Sequence, residues 1–177
     1  MFKRLKKIKL EKELSISIAA TIVSLCALST TIYQTHILKE QQYAAVWPRL
    51  ELRHTWNNTK NIYKLDLENT GVGPAIIREV NIQYNNHVYK DFGDLALGVS
   101  RINNLKNDDA YWDKSDLLPQ TVLPQQREKQ LLLIGDKQHV ESFVNALDSI
   151  IVTIDYESLY GDAWRISYPK ISHKKID

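Results

Sequence analysis

A short stretch after the first quarter of the chain combines positive charge with aromatic rings. Such groups can bind phosphates and stack on bases. The members are Arg49, Arg53, His54, Trp56 and Lys60. In a β-strand, Arg49 and Arg53 would share one face, with Glu51 between them. The alternative is a solvated strand face, because residues 39–177 carry 17 Lys and Arg against 19 Asp and Glu and offer no broad basic footprint.

The other residues that could do chemistry lack the spacing of a catalytic or metal site. No two of the five histidines have metal-ligand spacing with a third ligand nearby. Asp108 and Asp109, with Asp113 and Asp116, lack the glycine and terminal Glu of a calcium loop, which favours a solvated loop. The histidines are His36, His54, His87, His139 and His173.

Three further absences bear on function. The chain has no nucleophile elbow and no phosphate-loop lysine motif. Gly71-x-Gly73 is followed by proline, so it cannot form a dinucleotide-binding fingerprint. The one cysteine, Cys26, excludes an internal disulfide framework and a Cys-cluster zinc site. We therefore predict no enzymatic activity, no cofactor and no metal.

Residues 14–38 contain no Asp, Glu, Lys or Arg. At about 1.5 Å per residue, these 25 residues can cross a hydrocarbon core of about 30 Å with some tilt. A cleavable signal peptide is the alternative, since Ala27-Leu28-Ser29 is a small-x-small triplet. The apolar run continues past that triplet, which favours an uncleaved transmembrane helix.

Small and polar residues follow one face of this predicted helix with a 4-3-4-3-4 spacing. The members are Ser17, Thr21, Ser24, Leu28, Thr31 and Thr35, which we call the seam. Each hydroxyl can also bond back to its own backbone, so a lone helix is tolerable in lipid. The seam predicts either a packing face between helices or, if several copies assemble, the lining of a narrow polar pore.

The charge bias predicts an orientation. Residues 1–13 form a basic head with six Lys and Arg against two Glu, and such heads stay cytoplasmic. The C-terminal part would then lie outside the cytoplasm of a single-pass protein of the bacterial inner membrane. A basic head also binds anionic lipid on its own side of the bilayer.

The rest of the chain has the composition of a folded, mainly β domain. Of 177 residues, 44% are hydrophobic and 25% are charged, which argues against disorder. A helical connector over residues 39–47 should stop at Pro48, because Trp47 before it is pushed to extended geometry. Seven or eight short strands over residues 48–169 predict a β-sandwich, immunoglobulin-like or closed into a small barrel, and residues 170–177 a loose tail.

Period-two alternation and turn residues place the strands of that domain. We predict strands from position 49, over 62–69, 80–84, 87–89, 128–134, 150–156 and 163–168, with a short edge piece at 120–123. Asn85-Asn86 is a hairpin turn, and the glycines of the 69–74 loop should permit positive φ. A short helix and an exposed loop are expected over 93–116, and a second helix over 139–147.

Three segments carry a resemblance. They are QQYAAVWPRLE at 41–51, LENTGVGPA at 67–75 and DYESLYGDAW at 155–164. Together they resemble a group of small bacterial single-span proteins with a β-domain, similar to membrane effectors of nucleotide-signalled antiphage systems of the Hailong type. The resemblance implies a β-domain that reads a nucleotide or short oligonucleotide, and an oligomeric membrane part that makes the membrane leaky.

Two functions are therefore expected. The first is a homo-oligomeric membrane effector or ion channel gated by the β-domain, with a nucleotide as its signal in antiphage defence. That function requires a cytoplasmic β-domain and conflicts with the charge bias. The second is a membrane-anchored extracytoplasmic β-sandwich adaptor that binds a partner protein, which the charge bias favours.

Overall fold

This computed structural model describes residues 2–105, 111–170 and 172–176, with the side chains of 2–12, 44 and 111 outside the description. The chain divides into two compact units, Met1–Ala44 and Ala45–Asp177. The second unit is called the β-domain below. Asp108 and Asp109, which the sequence places in a solvated loop, lie outside the described residues.

The first unit is formed by a single helix, α1 (Phe2–Ala45). Its most apolar window of 18 residues, within Glu13–Tyr43, has a mean hydropathy of 1.8, and none of that window is buried. One N-terminal helix is thus long and apolar enough to cross a membrane, as predicted. The helix ends before Trp47-Pro48, where proline forbids its continuation.

The β-domain contains two antiparallel sheets. The first sheet has the order β1-β2-β7-β5, formed by β1 (Leu50–Asn57), β2 (Ile62–Asn69), β5 (Tyr111–Lys114) and β7 (Glu128–Gly135). The second has the order β10-β9-β8-β3-β4, formed by β3 (Ala75–Tyr84), β4 (His87–Tyr89), β8 (Ile150–Glu157), β9 (Ala163–Tyr168) and β10 (Ser172–Ile176), with β6 (Val122–Leu123) paired to β3. The prediction of a mainly β fold is confirmed.

One hydrophobic core takes side chains from both sheets and from two helices, α2 (Phe92–Ile102) and α3 (Lys137–Ala146). Leu67 and Leu132 come from the first sheet, and Ile77 and Ile154 from the second, and all four are inaccessible to solvent. Alternation within each strand put these residues on the inner face, as expected for half-buried strands.

The strand registers define two ends of the β-domain. Leu50 pairs with Asn69, and Ile76 pairs with Glu157, so the segment around Trp47 and the turn after β8 lie at one end, called the proximal end. The β1–β2 hairpin loop and the start of α3 lie at the other, distal end, because Ile62 pairs with Gly135.

Asn69 organises the proximal end. It is completely buried. Its Oδ1 accepts hydrogen bonds from the backbone N–H groups of Gly71 at 3.0 Å and Arg49 at 3.2 Å. Its Nδ2 donates to the carbonyls of Gly73 at 2.8 Å and Leu123 at 3.0 Å. One side chain therefore joins three chain segments whose backbone groups would otherwise be left unpaired.

The role predicted for the glycines of this loop was wrong. Gly71 and Gly73 do not have positive φ, whereas Gly161 does, at 83°. A Cβ on Gly73 would overlap the backbone of Val46, and one on Gly71 would overlap the backbone before Leu50. Glycine is required here because two backbone segments approach closely.

Two further predictions need correction. The tail is not loose over residues 172–176, since β10 pairs with β9 from Ser172 opposite Ser167 to Ile176 opposite Ala163. Its side chains are mostly exposed, so the sequence has no alternating apolar pattern that would predict this strand. Strand β5 was also missed, because its four residues follow a run of polar residues that is typical of a loop. The predicted Asn85-Asn86 turn is confirmed, with φ of 50° and 61°.

Candidate functional site

The hydroxyls of the seam are satisfied within their own helix. Those of Ser17, Thr21, Ser24, Thr31 and Thr35 each donate to the carbonyl four residues earlier, at 2.8–2.9 Å. Ser29 and Thr30, which lie off the seam, do the same. The hydroxyl hydrogens are used, and the oxygens keep acceptor capacity at the helix surface. This face can therefore meet lipid, a second helix or water without an unpaired donor.

The two arginines of the candidate ligand cluster have acidic partners. Arg49 Nε lies 3.1 Å from Glu51 Oε1, and a guanidinium nitrogen of Arg53 contacts Glu68 Oε2. The Arg49 and Arg53 side chains are 47% and 56% exposed. Because each positive charge is matched locally, this strand face presents mixed charge and no anion clamp.

His54 points the other way. It alternates with Arg53 on β1, and its Nδ1 lies 2.7 Å from the hydroxyl oxygen of Tyr63. Its ring lies 4.7 Å from that of Tyr168, and burial lowers the pKa of the imidazole below its ordinary value. His54 is thus part of the aromatic core and is not presented with the arginines.

The last two members lie at the distal end. The Trp56 side chain is 51% exposed near the end of β1. The backbone N–H of Lys60 donates to Asn57 Oδ1 at 3.0 Å in the hairpin loop. The structure therefore divides the cluster among the outer face of β1, the core and the distal end, and it does not bring the five residues together.

Trp56 instead lies in an open groove of about 660 Å³, called the distal groove. The β1–β2 hairpin forms one wall and α3 the other. Its lining residues are Trp56, Asn58, Asn61, Lys137, Val140, Glu141, Val144 and Asn145. The exposed indole and the amide groups offer both an apolar surface and hydrogen bonds, and are typical of a recognition surface.

The α3 wall is held by its N-terminal cap. Asp136 Oδ2 accepts a hydrogen bond from the His139 backbone N–H at 3.1 Å and lies 2.8 Å from His139 Nδ1. This contact holds the pKa of Asp136 below its ordinary value. On the inner side of α3, the Phe143 ring lies 5.0 Å from that of Tyr63. The groove therefore has one wall that is capped and packed into the core.

The groove carries little net charge. Lys137 Nζ lies 3.9 Å from Glu141 Oε1, one turn further along α3. Among the described residues that line the groove, only these two are charged. A neutral or weakly polar partner surface fits this chemistry better than a phosphate, which needs unpaired cations or converging N–H groups.

Sequence reasoning found Trp56 but not the groove. Asn58 and Asn61 follow Trp56 closely in the sequence, so the hairpin wall of the groove could have been predicted. The α3 wall, from Lys137 to Asn145, comes about eighty residues later, and nothing in the sequence links it to Trp56. Among the described residues, no group of three His, Cys, Asp or Glu could hold a metal ion.

Comparison with known protein families, curated proteins and solved structures finds no match for this chain. The resemblance to antiphage effectors therefore stays a prediction. The span, the seam and the distal groove are the features of this chain that bear on its function.

Proposed function

We propose that this protein is a membrane-anchored recognition protein. Its N-terminal helix holds it in a bilayer as a single span, and its β-domain, a sandwich of two sheets, binds a partner protein in the distal groove. The observation that carries the proposal is Trp56, a half-exposed indole in a groove with a rigid helical wall. Tryptophan is one of the residue types enriched among the few residues that contribute most of the binding energy at protein interfaces.

The nucleotide version of this proposal has less support. Arg49 and Arg53 are paired with Glu51 and Glu68, and His54 is turned into the core. A nucleotide would have to separate these ion pairs before its phosphates could be bound. The distal groove offers one lysine, and that lysine has a glutamate as its neighbour.

Site-specific photo-cross-linking in living cells tests the groove. A photoreactive amino acid at Asn145 should give a discrete adduct with one partner, and Trp56→Ala should abolish it. Position 145 lies in the groove lining and is exposed. The matched control is the same amino acid at Val88, which is 61% exposed on β4 and outside the groove. An adduct that is equally strong from Val88, or that survives Trp56→Ala, would contradict the proposal.

The seam favours a second candidate function, a homo-oligomeric membrane effector or ion channel. Five of the six seam residues, at a 4-3-4-3-4 spacing that Leu28 completes, place small side chains and acceptor oxygens along one stripe of a helix. Several copies that met along this stripe could surround a narrow polar path, and the β-domain would then control the assembly. In this version the resemblance supplies the biological setting, antiphage defence.

Ion flux from liposomes distinguishes the two functions. Thr21→Leu combined with Ser24→Leu should reduce flux if the seam lines a pore. The matched control is Cys26→Leu combined with Thr30→Leu, because both residues lie on the opposite side at 100° per residue. Equal flux from the two double variants would contradict the channel function and favour the recognition function.

Orientation is the second discriminating measurement. Paired reporter fusions at Asp177 show on which side of the membrane the chain ends. A cytoplasmic C-terminus would overturn the charge rule and favour a signal-gated effector. An extracytoplasmic C-terminus would remove intracellular nucleotides as ligands and favour the recognition protein.

A further inference from the structure

The proximal end of the β-domain exposes large apolar side chains from three separate segments. Trp47 is 48% exposed, Val72 57%, Leu159 59% and Tyr160 49%. Single exposed apolar residues are common, but a set from different loops at one end of a domain marks a contact surface.

The backbone brings the first two segments together. The N–H groups of Val72 and Gly73 both donate to the carbonyl of Trp47, at 3.0 Å and 3.3 Å. The β3–β8 register carries the third segment to the same end, since Glu157 pairs with Ile76 shortly after that loop. The grouping therefore follows from hydrogen bonds and strand register.

The turn that presents Leu159 and Tyr160 is itself well ordered. The Ser158 N–H donates to the Asp162 carbonyl at 2.8 Å, and the Gly161 N–H donates to the Ser158 carbonyl at 3.0 Å. The buried Ser158 side chain also accepts from the Tyr160 N–H at 3.2 Å. Because this closed turn exposes the Leu159 side chain to water, the exposure is unfavourable in free energy unless another apolar surface covers the side chain.

Three ion pairs lie around this end. Arg49 lies beside Glu51, Arg78 beside Glu157 at 3.6 Å, and Lys175 beside Asp162 at 2.7 Å. The surface is therefore suited to an apolar and interfacial partner, and long-range attraction to anionic lipid is not its main feature.

The short connection between the span and the β-domain indicates that the partner of this surface is the bilayer. The uncharged span ends at Leu38 and α1 continues to Ala45, so seven helical residues and two further residues can carry Trp47 no further than about 18 Å from the end of the span. Tryptophan and tyrosine are the residues enriched at the membrane–water interface. Resting on the membrane anchoring proposed above, we propose that the proximal end is a lipid-binding surface, in which Trp47, Val72, Leu159 and Tyr160 sit in the interfacial layer of the bilayer.

Depth-dependent quenching in vesicles tests this surface with the full chain. The protein carries an environment-sensitive thiol dye and is reconstituted in phosphatidylcholine that has no bromine, bromine near the top of the acyl chains, or bromine near their ends, the last of which reaches a dye at the bilayer centre. The native Cys26 reports the span. In a Cys26→Ser background, Leu159→Cys reports the proximal end and Val88→Cys reports a distal position of matched exposure, 61% against 59%.

The expected result is strong quenching at Leu159→Cys, no quenching at Val88→Cys, and little change in either at high salt. If only Cys26 is quenched, the anchoring stands and the lipid surface is overturned. If the dye on Cys26 is not quenched either, both the membrane anchoring and the lipid-binding surface are overturned. A Leu159→Cys dye that is shifted to the blue but not quenched by bromine would show that a second protein copy covers the turn, which also overturns the proposal. Val72→Cys provides an independent position should Leu159→Cys disturb the turn.

Discussion

The helix and the β-domain satisfy their polar side chains over different distances along the chain. In α1, each described serine or threonine hydroxyl bond reaches back four residues, as from Thr21 to Ser17. In the β-domain, the Asn69 side chain joins backbone groups of residues 49, 71, 73 and 123. The helix is therefore a product of local sequence, whereas the proximal end of the β-domain exists only when distant segments have met.

This difference has consequences for stability and for mutation. A local bond is present whenever the helix forms, and its loss affects one residue. A long-range bond belongs to a cooperative structure, and its loss leaves several buried groups unpaired at once. The following predictions test this contrast between the two units.

The largest effect is expected from Asn69→Ala. It leaves at least four backbone partners without their hydrogen bonds in a fully buried position, and should reduce the free energy of unfolding of the β-domain by about 3 kcal/mol. Denaturant titration followed by tryptophan fluorescence measures it. The control Asn58→Ala, in an exposed loop, should change stability by less than about 0.5 kcal/mol. Equal effects would refute the organising role of Asn69.

The next effect is a loss of stability in mild acid. Burial holds the pKa of His54 below its ordinary value of 6.5, so the unfolded chain binds more protons as the pH falls below 6.5. Stability of the β-domain should be complete above that pH and decline below it, with a contribution of at most about 1.4 kcal/mol per pH unit from this residue. The unfolding midpoint measured from about pH 7.5 to about pH 5.5 checks it.

His54→Gln is the matched variant for that titration. It should flatten the pH dependence and leave a smaller slope from His173, whose pKa is also lowered by burial. An unchanged slope in this variant would show that His54 is solvated or charged in the folded protein.

A smaller effect is expected from the ion pair of Asp155 and Arg165. Two contacts of 2.6 Å join neighbouring strands β8 and β9, and Asp155 is largely buried. A double-mutant cycle with alanine should give a coupling energy of about 1 kcal/mol, limited by the exposure of Arg165. The looser pair of Arg78 and Glu157, at 3.6 Å, serves for comparison and should give less. The reverse order would contradict the geometric argument.

The smallest effect is expected in the helix. Thr21→Val and Thr31→Val keep the shape and remove the hydroxyl, and because each bond is local, helix content and membrane insertion should not change. If copies share hydroxyl bonds along the seam, self-association should weaken by about 0.6 kcal/mol per site. Thr30→Val, off the seam, is the control. Equivalent behaviour of Thr21→Val and Thr30→Val would exclude the seam as a contact face.

Much of the β-domain could be predicted from sequence, because alternation fixes which strand face is buried. Leu50, Leu52 and His54 were placed on one face of β1, and all three face the interior. Strand β10 could not be predicted in this way. Its side chains are mostly exposed, so pairing with β9 left no apolar pattern to find.

The candidate ligand cluster shows the limit of reasoning from proximity along the chain. Arg53, His54 and Trp56 are neighbours in sequence, yet alternation and the end of the strand separate them. The partner of Arg53 is Glu68 on β2, and the groove that Trp56 lines is completed by α3. Neither could be read from composition, because both depend on which strands and helices become neighbours.

The sequence by itself determined the uncharged span, its hydroxyl stripe, the helix end before Pro48 and the period-two strands. These features depend on residues within one or two turns of each other. Only the tertiary structure decided that the two arginines have acidic partners, that His54 is half-buried, and that Trp56 lines the same groove as α3. Those outcomes depend on strand register and packing, which bring together residues as far apart in sequence as His54 and Tyr168, about 114 positions.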